Sequence, residues 1–318
     1  MRNRPLLCLL AALSAIAQTQ AQDKNSESAP KPLKVFVLAG QSNMVGAGIV
    51  GWNEERNGGQ GSLEYLVKNE DTASRFAHLV DDEGEWVTRE DVWISYFDRS
   101  GGLQPGYGGN RNQIGPELGF GHVVGEHFDD QVLLVKVAWG GKSLAVDFRP
   151  PSAGGEVGPF YSQLIEQVHT VLDSLDDRFA DYEDRGHEFV GFGWHQGWND
   201  RINQGFNDAY EENMAHFIRD IRAEFEVPEL PFVIAETGMT GPDEKHPRAL
   251  SLMNAQAAVA EREEFRGNVA FVGTRNFWRP KEESPSSQGY HWNSNAETYY
   301  RIGDGMGQAM LGLLRERR

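Results

Sequence analysis

The feature that most limits how this chain can fold is an alternation. Short runs rich in Val, Leu, Ile and Phe end at glycine or a polar turn and are followed by stretches with helical spacing. Residues 34–39 (KVFVLA), 131–139 (QVLLVKVAW), 188–195 (EFVGFGWH), 231–236 (PFVIAE) and 269–273 (VAFVG) read as five strands. Helices are predicted over 115–127, 161–175, 207–225 and 250–264, with a closing helix over 296–314. In the second of these, Leu164, Val168, Val171 and Leu172 share one face, as a 3.6-residue period requires. Pro116 and Glu117 suit the first turn of theirs, where a missing N–H is harmless and an acid meets the positive end. Strands that are apolar on both faces and alternate with helices imply a parallel sheet covered on both sides. Ligands of such folds bind beyond the carboxyl ends of the strands.

Residues 50–112 break the alternation. They are rich in Gly and charge, with one hairpin expected around 85–97. The segment reads as an insertion over the site, or more plainly as a surface loop. No internal repeat is visible, and residues 32–318 are expected to form one domain.

The first 21 residues carry Arg2 and Arg4, an apolar run from Leu6 to Ala17, and a small-residue site at Thr19-Gln20-Ala21. That is the layout of a secretory signal peptide, and the run is too short to span a bilayer comfortably. A secreted or periplasmic location is expected, with residues 22–31 as a flexible leader. The only cysteine, Cys8, falls inside the run, so the mature chain is expected to have no disulfide, thiolate nucleophile or Cys metal site. The formal net charge is −17, which argues against nucleic acid or an anionic membrane as a partner and suits a neutral substrate.

Four segments carry chemistry. Gly40-Gln41-Ser42-Asn43 follows the first strand, where a tight turn points a hydroxyl out of the sheet edge; elsewhere such a Ser caps a helix. Trp139-Gly140-Gly141-Lys142-Ser143 follows the second strand and imitates a phosphate loop. The first glycine of that motif falls on Lys136, so nucleotide binding is rejected. Gly141 is better read as a backbone N–H donor. His195-Gln196-Gly197-Trp198-Asn199-Asp200 ends the third strand, where Asn199 can donate to an oxyanion without bringing a charge. Tyr290-His291-Trp292-Asn293 precedes the last helix. No H-E-x-x-H occurs, and His122 and His127 do not share a helical face, so neither a metal nor any other cofactor is expected.

In their order, Ser42, Gly141, Asn199 and His291 resemble the blocks of the SGNH-hydrolase superfamily. V-F-V-L-A-G-Q-S-N-M is similar to the sialate O-acetylesterase-like domain shared with carbohydrate esterase family six, over roughly residues 33–314. The resemblance implies a flavodoxin-like three-layer α/β/α fold and a serine O-acetylesterase acting on sugars. Ser42 is then the nucleophile and His291 the base. The backbone N–H groups of Ser42 and Gly141 and the side chain of Asn199 form the oxyanion hole. Gln41, Gln196, Trp139, Trp198 and Trp292 are expected to meet substrate; for the tryptophans a place in the core is the competing reading.

Two departures stand out. Related esterases often carry W-Y-Q-G-E-S-D where this chain has W-H-Q-G-W-N-D, and D-x-x-H where it has Gln288 three residues before His291. Gln288 can orient an imidazole but cannot offset its charge. The third member of a triad is therefore open among Gln288, Glu283, Glu236 and none. Two other readings compete: a carbohydrate-binding protein that has lost activity, and a lipase or thioesterase, which the polar 50–112 segment disfavours.

Overall fold

The computed structural model describes residues 31–316; the expected signal peptide and residues 22–30 of the leader lie outside them. The strands are β1 (Leu33–Gly40), β2 (Gly48–Ile49), β3 (Arg89–Tyr96), β4 (Arg99–Leu103), β5 (Gln113–Ile114), β6 (Val132–Ala138), β7 (His187–His195), β8 (Phe232–Ala235) and β9 (Val269–Val272). Seven of them form one sheet in the order β4-β3-β6-β1-β7-β8-β9, while β2 and β5 pair separately. All neighbours in the large sheet run parallel except the β3–β4 hairpin. The chain builds outward from β1 first to one side and then to the other. That reversal opens a crevice at the carboxyl end of β1.

Alternation along β1 feeds both layers. Leu33, Val35, Val37 and Ala39 join the core under the helices Pro159–Leu172, Tyr210–Glu224 and Pro247–Glu261. Phe36 and Leu38 join the core under the helices Glu117–Gly125 and Ala296–Glu316. The latter two helices cross so closely that a Cβ on Gly303 would stand 1.9 Å from the Pro116 carbonyl oxygen. This is the three-layer α/β/α architecture expected from the sequence.

The expectation for residues 50–112 needs correction. Part of this segment is sheet: β3 pairs with β6 from Val92 opposite Val132 to Tyr96 opposite Lys136, and β4 closes the edge. The hairpin expected around 85–97 is β3–β4; it turns at Phe97-Asp98 and extends to Leu103. The five buried residues Val92–Tyr96 follow the charged run Arg89-Glu90-Asp91, which hid a short apolar strand from its flanks. The helices Leu63–Lys68 and Glu70–Phe76, capped by the side chains of Ser62 and Asn69, cover the core beside it.

One charge lies at the centre of this half. Lys136 on β6 is fully buried and bonds Glu117 Oε2 at 2.7 Å, the Val45 carbonyl at 2.8 Å and the Tyr107 carbonyl at 2.7 Å. Glu117 Oε1 in turn accepts from the Gly115 N–H at 2.7 Å. The ammonium thus fastens the helix Glu117–Gly125 and the far end of the Ser42–Val45 turn to the sheet. Removing one member of a buried pair strands the other charge. Lys136→Met should lower the unfolding free energy by about 3–5 kcal/mol in urea titration. Lys136→Met with Glu117→Gln should recover part of the loss. A single variant within about 1 kcal/mol of wild type would show that the pair is not holding these elements.

Candidate active site

The crevice at the end of β1 gathers four segments. Gly40, at φ +155°, lies so close to β7 that a Cβ there would stand 2.2 Å from the His195 carbonyl oxygen. Only glycine lets the chain turn at this point, and Gln41 N–H then bonds the same carbonyl at 3.2 Å. Ser42 follows as the first residue of the one-turn helix Ser42–Val45. Its hydroxyl makes no hydrogen bond with any described residue.

The two neighbours of Ser42 hold the other segments. Gln41 is buried; its Oε1 accepts from Gly197 N–H at 3.1 Å and Asn199 N–H at 3.4 Å, and its Nε2 donates to Asn199 Oδ1 at 3.3 Å. Asn43 Nδ2 donates to the Tyr290 carbonyl at 3.1 Å, and Asn43 Oδ1 accepts from the Tyr299 hydroxyl at 2.8 Å. Ser42 and His291 are therefore each one residue away from the same hydrogen bond. Gly140 stands on another side, where a Cβ would be 4.0 Å from Ser42 Cβ. Gly141, at φ +70°, has open space where a side chain would be. The backbone N–H groups of Gly140 and Gly141 have no acceptor among the described residues. Asn199 Nδ2 donates one hydrogen to the Gly141 carbonyl at 2.9 Å, which leaves its second N–H.

Asp200 clasps the Gly140–Gly141 loop from below. Its two carboxylate oxygens accept from Leu144 N–H at 2.8 Å and Ala145 N–H at 2.9 Å, and from Gln196 Nε2 at 2.6 Å. Burial pushes this carboxyl up to about 6, against the pull of those three donors.

His291 begins an unusual stretch of backbone. Trp292, Asn293 and Ser294 follow it at φ 51°, 54° and 57°, all in the left-handed region that non-glycine residues avoid. The turn is held from several sides. Asn293 N–H bonds the Gln288 carbonyl at 3.1 Å, Asn293 Nδ2 the Arg279 carbonyl at 3.0 Å, and Ser286 Oγ bonds Ser294 Oγ at 3.0 Å. The Trp292 ring is fully buried and plugs the turn into the core. The imidazole of His291 is half-buried, and burial lowers its pKa below the ordinary 6.5. The Tyr290 ring stands 4.5 Å from it, itself 5.9 Å from Trp198.

Ser42, Gly141, Asn199 and His291 are thus brought to one crevice. Other expected residues have different surroundings. Gln41 and Gln196 are buried, and Gln196 Nε2 bonds the Lys142 carbonyl at 2.9 Å as well as Asp200, so their amides connect loops rather than face solvent. Trp292 is sealed in the core, and Trp139 packs on Phe97, Phe148 and Phe160. Trp198 is half-buried, with the Arg201 guanidinium 4.3 Å above its ring. No side chain of the three candidate partners bonds the His291 ring. Gln288 and Glu283 are exposed, and Glu236 is buried against Thr274 N–H at 2.9 Å and Arg275 Nε at 3.0 Å. Asn43, Gly140, Asp200 and Tyr290 were not singled out from the sequence; Asn43 and Gly140 were signalled only by adjacency to Ser42 and Gly141.

Comparison with known proteins agrees with this architecture. The model of the family "Carbohydrate esterase, sialic acid-specific acetylesterase" matches residues 32–312. No curated protein sequence matches the chain. A protein of Arabidopsis thaliana shares the fold with a TM-score of 0.59 at 17% identity, over 88% of this chain and 98% of that one. NanS does so with 0.58 at 14% identity, over 91% and 99%. A carbohydrate acetylesterase from Xanthomonas citri does so with 0.52 at 15% identity, over 87% of this chain and 55% of its own.

The Asn43 link is open to a direct test. Asn43→Ala takes the donor from the Tyr290 carbonyl and leaves the Tyr299 hydroxyl only the His291 carbonyl at 3.3 Å, at about 1–3 kcal/mol for a buried polar group. Hydrogen exchange at the amides of 289–293 should quicken about tenfold or more, since roughly 1.4 kcal/mol is a factor of ten. Unchanged exchange there would mean that another contact holds the His291 segment.

Proposed function

The chain belongs to the carbohydrate esterase, sialic acid-specific acetylesterase family and is a carboxylic ester hydrolase; on that premise we propose that it removes O-acetyl groups from poly- or oligosaccharides with Ser42 as nucleophile. The observation that carries this reading is the pair of amides flanking Ser42, which tie the Asn199 and His291 segments to it. Secretion to the periplasm or the outside is part of the same proposal and is supported by the N-terminal pattern of charge and apolar residues.

The reaction is acyl transfer. His291 takes the proton of the Ser42 hydroxyl, and the oxygen attacks the acetyl carbonyl. The oxyanion is met by the N–H groups of Ser42 and Gly141, with Gly140 beside them, and by the free N–H of Asn199. As the tetrahedral intermediate collapses, the C–O bond to the sugar breaks and His291 returns the proton to the sugar oxygen. A water molecule, deprotonated by His291, then attacks the acyl-serine, and acetate leaves. Asp200 acts on none of these atoms; it positions the Gly140–Gly141 loop through Leu144 and Ala145. An inactive carbohydrate-binding protein is the second reading, favoured by the lack of any carboxylate bonded to His291 among the described residues.

Hydrolysis of p-nitrophenyl acetate and of acetylated xylan, with and without single substitutions, separates the two readings. Ser42→Ala should lose about 10⁴-fold or more in kcat while keeping its thermal transition. Asn199→Ala should lose about 10²–10³-fold in kcat with little change in KM. Wild-type protein that binds acetylated xylan and does not hydrolyse either ester would establish the binding reading.

The missing carboxylate also fixes a pH dependence. The base must be neutral, and burial without an acidic partner keeps His291 neutral to lower pH than usual. Activity should therefore persist below pH 6.5 and fall at lower pH, where protonation of Asp200 near 6 also loosens the oxyanion loop. Gln288→Ala and Glu283→Ala should each change kcat by less than about tenfold, roughly 1.4 kcal/mol. A kcat/KM profile with its acid midpoint above 7, or a large loss in either variant, would reveal a charged or polar partner for the imidazole.

A further inference from the structure

A second groove lies away from Ser42, between the helices Glu117–Gly125 and Ala296–Glu316. Its volume is about 830 Å³, within the range of small-molecule sites. His78, Arg89, His122, Glu126, Tyr300 and Asp304 line it. One of these is out of balance. His122 is 6% exposed, and its ring nitrogens have no hydrogen-bond partner among the described residues. Nearby His78 is fixed instead, its Nε2 2.8 Å from the Tyr300 hydroxyl and its ring edge-to-face with His122 at 4.9 Å. A ligand in the groove that can both donate and accept would pair with these nitrogens.

The charges of the groove narrow what that ligand is. Arg89 is already engaged by Asp91 at 2.5 Å and Glu126 at 2.6 Å, so its guanidinium is not free for an anion. Arg89 and Arg315 are matched in number by Glu126 and Asp304, so the lining is close to neutral overall. Burial pushes His122 down to about 3, so its ring is neutral in ordinary buffers, and burial lowers His78 in the same direction. A neutral imidazole offers one donor and one acceptor, the pairing a hydroxyl makes. Gln308 adds an amide of both kinds. The lining thus suits neither a phosphate, nor a cation, nor an apolar chain. It suits a neutral ring bearing several hydroxyls.

We propose that this groove is a second carbohydrate site, which takes one neutral sugar ring and holds an oligosaccharide on the protein apart from the crevice at Ser42. The choice of a sugar among neutral polyols rests on the proposed substrate class; the site itself does not. The test uses unacetylated xylotetraose and cellotetraose, with glycerol and inorganic phosphate as controls, on the whole protein. Imidazole resonances of His78 and His122 report on the groove alone. At least one oligosaccharide should shift them with a Kd on the order of 1 mM, and neither control should. His122→Phe should weaken that binding at least about tenfold, and Gln308→Ala, on the exposed wall, should weaken it without endangering the fold. Hydrolysis of p-nitrophenyl acetate should be unchanged in both. Because burial holds His122 down to about 3, protonation of that ring should not alter affinity between pH 5 and 8.

No shift with either sugar up to about 20 mM would overturn the proposal. So would binding that both variants leave intact, or equal shifts with glycerol or phosphate. Loss of ester hydrolysis with sugar binding intact would sink the esterase reading and not this one.

Discussion

Two side-chain amides, one on each side of Ser42, are what the rest of the site depends on. A serine at the end of a central strand has no chemistry until other groups are fixed around it. Gln41 reaches toward β7 and takes the backbone of Gly197 and Asn199; Asn43 reaches toward the last helix and takes the backbone of Tyr290. Neither amide carries a charge. Both are buried, where a hydrogen bond is stronger and its loss more costly than at the surface. The strand-end turn and its two neighbours thus act as one fixture, and the tight passage of Gly40 against His195 sets its angle.

The fixture works because the pieces it joins are stiff. On one side the Lys136 ammonium holds the carboxyl end of the Ser42–Val45 turn at the Val45 carbonyl. On another, Asp200 fixes the loop that carries Gly140 and Gly141 through two backbone donors. On the third, the left-handed turn at 292–294 stores strain that only a tightly bonded surround can maintain. Trp292 supplies much of that surround by filling the core beneath the turn. Buried charges and strained backbone thus stand around the carboxyl end of β1, where Lys136, Asp200 and the turn at 292–294 support the Ser42 segment.

That division explains what was legible in the sequence. The strands at 33–40, 132–138, 187–195, 232–235 and 269–272 announced themselves because they are apolar on both faces and stop at glycine or polar turns. The strand at 89–96 was legible only as part of a hairpin; its charged amino half gave no sign that it pairs with β6 in the main sheet. At the site, the order of Ser42, Gly141, Asn199 and His291 along the chain was enough to bring them to one crevice. What pattern could not supply was which polar residues face inward. Gln41, Gln196 and Trp292 lie beside the motifs and look available for substrate, yet each is turned into the protein. Adjacency in sequence places a residue near a site, and only packing decides which way it points.

The same limit applies to His291, the base on the proposed reading. A carboxylate behind an imidazole does two things: it orients the ring and it offsets the positive charge that forms when the ring takes a proton. Here orientation comes from the backbone, through His291 N–H bonded to the Gln288 carbonyl at 2.8 Å and the Tyr290 carbonyl bonded to Asn43. Charge offset has no such substitute among the described residues. The Tyr290 ring stands 4.5 Å from the imidazole. A cation facing an aromatic ring gains about 0.5–2 kcal/mol, whereas replacing the carboxylate of a triad by an amide costs about 10⁴-fold in kcat, more than 5 kcal/mol at 1.36 kcal/mol per factor of ten. On the proposed reading the aromatic contact can recover only a minor part of that difference. A site built this way must draw its rate from how well Ser42 and the oxyanion donors are positioned, which is where this chain has concentrated its buried hydrogen bonds.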